Sequence, residues 1–148
     1  MMKMSGTPRG KLTVRTLTMP ADANPNGDIF GGWVVGHMDQ AGGIAGVERA
    51  KGRVITVAID AMTFIKPIQV GDVLEVYTDV EGVGRTSIKI HIEAWVQRVQ
   101  TYERDKVTNA TFTFVHVGED GRPRAVPAIE QRPPSEREAA TIPDTARV

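Results

Sequence analysis

The chain has 148 residues, a length that suits one domain with its own hydrophobic core. Its 18 basic and 18 acidic residues cancel to a formal net charge of zero, which argues against a general binder of nucleic acids or membrane surfaces. The absence of cysteine rules out disulfides, thiolate metal sites and cysteine nucleophiles. Because no signal-peptide core and no membrane-spanning run is evident, we expect a soluble, cytoplasmic protein.

The first predicted elements are a strand, a turn-rich loop and a long helix. Residues 11–19 alternate between two faces and end before Pro20, which is typical of a strand. Residues 21–28 contain the Asn-Pro and Asn-Gly pairs of a turn-rich loop. The next segment is too long for a strand and ends in basic residues followed by Gly52, a natural helix stop. We therefore predict a helix over about residues 32–50.

The segment 29–47, which covers most of this helix, carries a single charge, Asp39, and six glycines. Six glycines weaken a helix, so we expect a sheet to pack closely on nearly every side of it. Burying a carboxylate in such apolar surroundings costs several kcal/mol of free energy unless the charge is paired or has a functional role. Because a reactive group is one justification for that cost, Asp39 is the first candidate for a functional residue.

Beyond Gly52 the apolar residues recur with a period of two, which predicts four further strands at residues 54–65, 73–80, 86–99 and 107–117. In the first of these, the odd-numbered residues from Ile55 to Ile65 form an apolar face that carries one hydroxyl, Thr63. The order is therefore one strand, a long buried helix and four strands. It predicts an α+β fold in which a five-stranded antiparallel sheet encloses one helix.

The C-terminal end of the sequence differs in composition from the rest. We expect one domain over residues 1–127 and a polar, proline-rich tail over residues 128–148. Within the tail, Ser135 and Glu138 have the spacing of a capping box. A short helix and a mobile tail are equally open interpretations.

Together with this order of elements, the sequence NPNGDIFGGWVVGHMDQAGG at residues 24–43 resembles the hotdog-fold acyl-CoA thioesterases, specifically their YciA-like branch. Residues 56–74, 84–96 and 108–117 fit the same family in the same order, and the match runs from about residue 12 to residue 127. The resemblance implies a dimer with one continuous sheet, often assembled into a trimer of dimers. It also implies hydrolysis of acyl-CoA at the dimer interface without a metal, and without a cofactor beyond the CoA of the substrate.

The family motif assigns the helix aspartate to Asp39, the loop asparagine to Asn24 and the glycine pair at the helix start to Gly31 and Gly32. Thioester hydrolysis needs a base or nucleophile, and donors for the developing oxyanion. Asp39 suits either a base that activates water or a nucleophile that forms an anhydride. Gly31 and Gly32 suit the donors because the first N–H groups of a helix are free, although the same glycines also suit tight helix–sheet packing.

Several polar residues are weighed as partners of Asp39. By the resemblance, Asn24 acts across the interface, opposite the other subunit's Asp39, and orients the water or the carbonyl. Asn26, in the same loop, is expected to serve ordinary turn chemistry. Thr63 either bonds Asp39 or the thioester, or is a strand residue satisfied by local backbone. His37 lies about 200° around the helix axis from Asp39 and receives no catalytic role.

The phosphates of coenzyme A call for cations and hydroxyls. Arg85, Thr86 and Ser87 lie at a predicted turn and offer a guanidinium with two hydroxyl groups. Lys66 and Arg53 are further candidates, although a basic residue at a turn is more often simply solvated. The three histidines are scattered and give no metal-binding pattern.

Two other functions stay open at this stage. One is a hydratase or dehydratase on the same fold, which resembles sequences that pair a histidine with an acidic residue. The other is a non-catalytic acyl-CoA-binding sensor, although no basic helix-turn-helix accompanies it.

Overall fold

The computed structural model describes residues 6–129, so the predicted tail lies outside the described residues from residue 130 onward. After a short 3-10 turn at Pro20–Asp22, the chain forms its one described α-helix, and five strands make up the rest of the regular structure. The elements in chain order are β1 Lys11–Leu17, α1 Gly31–Ala50, β2 Val54–Ile59, β3 Val73–Val83, β4 Ser87–Gln97 and β5 Arg104–His116. No helix in this part of the chain is both long and apolar enough to cross a membrane.

The five strands form one antiparallel sheet in the order β1-β3-β4-β5-β2. Strands β3, β4 and β5 are joined by consecutive hairpin connections, and β1 and β2 occupy the two edges. The single long helix packs on this sheet, with contacts to every strand. The predicted α+β fold of five antiparallel strands and one helix is therefore confirmed.

The helix lies close to the sheet on one side only. A methyl group at Gly42 would lie 2.6 Å from Phe114 Cζ, so only glycine permits this separation of helix and sheet. In contrast, a methyl group at Gly32, Gly36 or Gly43 would meet no atom within 4 Å. The expectation of close packing on nearly every side was wrong for the single chain, because the side of the helix that carries these three glycines faces open space.

Strand β2 is shorter than predicted, and its apolar face is exposed. It ends at Ile59 rather than Ile65, and a register shift between Thr56 and Ala58 interrupts its pairing with β5. The odd-numbered apolar residues that share one face of this strand are 40–51% exposed, and they are Ile55, Val57 and Ile59. Val54 and Thr56 face the helix instead, since Val54 lies against Gly46 and Thr56 bonds a helix side chain.

Glu93 of β4 is a buried carboxylate whose oxygens contact several polar groups. It is 5% exposed, and its oxygens lie 2.8 Å from His91 Nε2 and 2.9 Å from Trp95 Nε1. Burial opposes ionisation of Glu93, but these contacts and the backbone N–H of Arg9 outweigh it and hold the pKa of Glu93 below its ordinary value. The charged form of Glu93 therefore contributes to the stability of the fold.

Candidate active site

The N-terminus of α1 offers two free backbone donors. Phe30, at the N-cap position, makes no side-chain cap, and the first turn holds no acidic residue. The N–H of Phe30 donates to the backbone carbonyl of Asp22 at 3.1 Å, and that of Trp33 donates to the carbonyl of Phe30 at 3.1 Å. The N–H groups of Gly31 and Gly32 lie between these two donors in the sequence, and they have no acceptor within residues 6–129. Both glycines are exposed, and Phe64 is the side chain beside Gly31, where an added methyl group would lie 3.5 Å from Phe64 Cζ. An external anion or carbonyl can therefore approach these donors from the open side of Gly32.

Asp39 faces β2, where its partner is a threonine that the sequence analysis did not single out. Thr56 Oγ1 donates to Asp39 Oδ1 at 2.6 Å. Thr63 was the predicted hydroxyl, but it lies beyond the end of β2, is exposed, and contributes its carbonyl to a bond from Thr108 Oγ1 at 2.8 Å. The even-numbered position of Thr56, two residues after inward-facing Val54, is the signal that could have identified it.

Asn24 shapes the loop that leads to α1. Its Oδ1 accepts the N–H groups of Asn26 at 2.9 Å and Asp28 at 3.1 Å. The turn chemistry that we expected at Asn26 therefore belongs to the side chain of Asn24. Its amide group donates to no acceptor in the described part of the chain, so Asn24 keeps two donors for another partner.

The glycine donors and Asp39 cannot act on one thioester within a single chain. Eight residues separate Gly31 from Asp39, which corresponds to about 12 Å along the helix axis. A reacting carbonyl group must lie within about 3 Å of its donors, and either within about 3 Å of a nucleophile or one water molecule away from a base. If these groups act on one thioester, they therefore have to come from two copies of the helix.

The side of α1 that faces away from the sheet forms an open apolar groove. The groove has a volume of about 630 Å³ and is lined by Gln40, Gly43, Ile44, Val47, Glu48 and Val54. Beside it runs β2, an edge strand with an exposed apolar face. Exposed apolar edge strands readily pair with another chain, so this face is suited to a partner.

The predicted phosphate-binding residues do not come together. Lys66 forms an ion pair with Asp105 at 3.0 Å and lines a pocket of about 270 Å³ beside Gly31. Asp105, the partner of Lys66, is opposite Val96 of β4, and Ser87 lies at the other end of that strand, opposite Val115. Nine residues of β4 separate Val96 from Ser87. Lys66 and the turn of Arg85, Thr86 and Ser87 are thus roughly 30 Å apart at opposite ends of the sheet.

His37 lies against Trp33 rather than beside Asp39. The two ring centroids are 4.2 Å apart with an interplanar angle of 62°. His37 Nδ1 is enclosed and has no hydrogen-bond partner among the described residues. Across residues 6–129, no group of three or more histidines and carboxylates is placed to hold a metal ion.

Comparison with known proteins identifies the class to which this fold and site belong. The family model of the thioesterase superfamily matches residues 26–102. The acyl-CoA thioester hydrolase YciA of Salmonella typhimurium is 49% identical over 130 residues, which cover 86% of this chain and 98% of the relative. An acyl-CoA thioester hydrolase of Haemophilus influenzae, named as uncharacterized, is 53% identical over 122 residues, or 80% and 79% of the two chains.

A solved structure agrees with these relatives. The hexameric thioesterase of Yersinia pestis is 50% identical and gives a TM-score of 0.79, with 82% of this chain and 99% of that chain covered. The chain therefore belongs to the thioesterase superfamily. Its predicted resemblance to the YciA-like branch of hotdog proteins is confirmed.

Proposed function

We propose that this chain is an acyl-CoA thioester hydrolase, which releases free CoA and a carboxylic acid. The observation that carries this proposal is the pair of free N–H groups at Gly31 and Gly32, on a fold whose relatives are named for this activity. A thioester carbonyl is an acceptor that these donors fit, and the positive end of α1 favours the charge that develops on its oxygen.

Asp39 has two possible roles in the reaction. As a general base it removes a proton from water while the water oxygen attacks the carbonyl carbon. As a nucleophile it attacks that carbon directly and forms an anhydride, which water then hydrolyses. In both routes the C–S bond breaks and the CoA sulfur leaves with a proton, and CoA enters only as part of the substrate. Asn24 orients the water or the carbonyl, and Thr63 is a proposed contact of the thioester.

The site is completed by a second copy of the chain. The groove along α1 and the exposed edge strand β2 suit self-association, and pairing of two β2 strands would join the two sheets into one. An antiparallel arrangement brings Gly31, Gly32 and Asn24 of one protomer toward the partner's Asp39. Since the Yersinia pestis relative is hexameric, we extend this proposal to a trimer of such dimers.

Release of free CoA from acyl-CoA, followed with a thiol reagent, tests the proposed function. Asp39→Asn removes the charge and keeps the shape, so turnover is expected to disappear while the assembly persists. Asp60→Asn is the matched control, since Asp60 is an exposed acid near the end of β2 whose backbone, not its side chain, is bonded. Full turnover in Asp39→Asn would end the proposal. Tight binding of acyl-CoA by the wild type without turnover would indicate a binding protein instead.

A further inference from the structure

The connection between β2 and β3 supplies one wall of the pocket beside the free donors of α1. This pocket of about 270 Å³ is lined by Gly31 and, from the connection, by Lys66, Pro67 and Ile68 among others. Residues 66–72 lie between the two strands rather than in either of them. Because no strand ladder of their own holds these residues, their position depends on bonds from neighbouring elements.

Arg98, just beyond the end of β4, reaches this connection from the sheet. Its Nη1 donates to the carbonyl of Pro67 at 2.9 Å and to Asp72 Oδ2 at 2.8 Å, and its Nε donates to Asp105 Oδ2 at 3.0 Å. Burial opposes the charge of Arg98, but the two carboxylates outweigh it and hold the pKa of Arg98 above its ordinary value. One guanidinium group therefore fixes residues 66–72 at two points and ties them to β5.

The buried carboxylate of Asp72 fixes the far end of the same connection. Asp72 Oδ2 also accepts the N–H of Gln69 at 3.0 Å, and Oδ1 accepts the N–H of Val99 at 3.2 Å. The backbone carbonyl of Asp72 accepts the N–H of Thr18 at 3.1 Å and the hydroxyl of Thr18 at 2.7 Å. Asp72 is 2% exposed, so these bonds are shielded from water.

The connection passes this constraint to the start of α1. The carbonyl of Ile68 accepts the N–H of Ile29 at 2.8 Å, and both isoleucines are buried. An isolated antiparallel bridge joins Asp28 to Gln69 in the same place. Ile29 lies two residues before Gly31, so the direction of the free N–H groups at the helix start depends on where Ile29 is held.

Donors that stabilise a developing oxyanion depend on their direction, and a misplacement of about 1 Å can cost about 100-fold in rate. Resting on the proposed function, we propose that Arg98 is a positioning residue of the active site, which holds residues 66–72 so that the N–H groups of Gly31 and Gly32 point at the thioester carbonyl. Arg98 acts on that carbonyl only through the connection, by way of the bond between Ile68 and Ile29.

The kinetic test measures kcat and KM for release of free CoA in Arg98→Gln. We expect kcat to fall about 10- to 100-fold with little change in KM, because the donors act mainly on the transition state. Arg104→Gln is the matched control, since the Arg104 side chain is 22% exposed, against 18% for Arg98, and pairs with Glu75 of β3 instead. A loss of stability alone should affect both variants alike. Wild-type kcat in folded Arg98→Gln would overturn the proposal, and so would an equal fall of kcat in Arg104→Gln.

Arg98→Lys keeps the proposal testable if Arg98→Gln fails to fold. The lysine ammonium keeps a positive charge between Asp72 and Asp105 but lacks the planar fork that also reaches the carbonyl of Pro67. We expect a smaller fall in kcat at close to wild-type stability. Unchanged kcat in Arg98→Lys would overturn the proposal.

A measurement without substrate separates this proposal from the proposed function. In NMR of protein with isotopically labelled glycine, the amide resonances of Gly31 and Gly32 should shift in Arg98→Lys and Arg98→Gln. The resonance of Gly82, at the opposite end of β3 from residues 66–72, should stay in place. If the wild type hydrolyses no thioester, the proposed function fails, yet the shifts still show whether Arg98 fixes the donors. Unshifted resonances of Gly31 and Gly32 would overturn the proposal.

Discussion

The hydrogen bond between Thr56 and Asp39 leads to a quantitative prediction for Thr56→Val. Valine removes the hydroxyl and keeps the β-branched shape, so the fold should persist. The deleted bond joins Thr56 Oγ1 to Asp39 Oδ1 over 2.6 Å. A hydrogen bond to a charged group contributes about 1.5–3 kcal/mol, which corresponds to a fall of about 10- to 150-fold in kcat if the bond orients Asp39 during the reaction.

The assay is release of free CoA at saturating acyl-CoA, with kcat and KM measured separately. Because Thr56 acts through Asp39, kcat should fall while KM changes little. The same substitution at Thr63 tests the alternative taken from the sequence, and there we expect a smaller effect, confined to KM. Wild-type kcat in Thr56→Val, with correct folding and assembly, would refute the role assigned to this bond.

Three further predictions concern packing, assembly and acid stability. Gly42→Ala places a methyl group 2.6 Å from Phe114 Cζ, so denaturant unfolding should show a loss of about 1–3 kcal/mol, whereas Gly36→Ala, at an open position, should lose none. Ile44→Asp puts a charge into the apolar groove, and analytical ultracentrifugation should show smaller species that lack turnover; an intact, active assembly would contradict the shared site. Glu93→Gln should destabilise the protein by about 1.5–3 kcal/mol at pH 7, since the lowered pKa of Glu93 means that its charged form stabilises the fold. That difference should begin to shrink once the pH falls below the ordinary pKa of a glutamate, and it should disappear only when the pH falls below the lowered pKa of Glu93, where the wild-type carboxyl is itself protonated; a difference that stays constant on acidification would contradict it.

The long helix and the order of elements could be predicted because their signals are local. Glycine-rich and apolar sequence ending at Gly52 predicted the helix to within one residue at its start, Gly31. The alternation of apolar residues located the strands. What alternation could not decide was which face of β2 points inward, because the chain exposes the apolar face of Ile55, Val57 and Ile59 and places Thr56 against the helix. Apolar character predicts burial in the whole assembly, not within one chain.

The candidate site was predictable only in part for the same reason. Two features of the sequence itself point to candidate residues. The lone charge identifies Asp39, and the glycine pair identifies Gly31 and Gly32. The hydroxyl partner of Asp39 depends on the register between α1 and β2, which no local pattern encodes. The cavity lined by Arg53 and Arg124 likewise depends on pairing of distant segments, so sequence spacing alone could not reveal it.

The central claim, an active site built from two copies of the chain, is tested most directly by mixing two inactive variants. Asp39→Asn and Asn24→Ala are purified separately, mixed at equal amounts and allowed to exchange subunits. In a mixed dimer, one site carries both substitutions and the other carries neither, so statistical exchange should restore about one quarter of wild-type turnover. No recovery after demonstrated exchange would contradict the shared site.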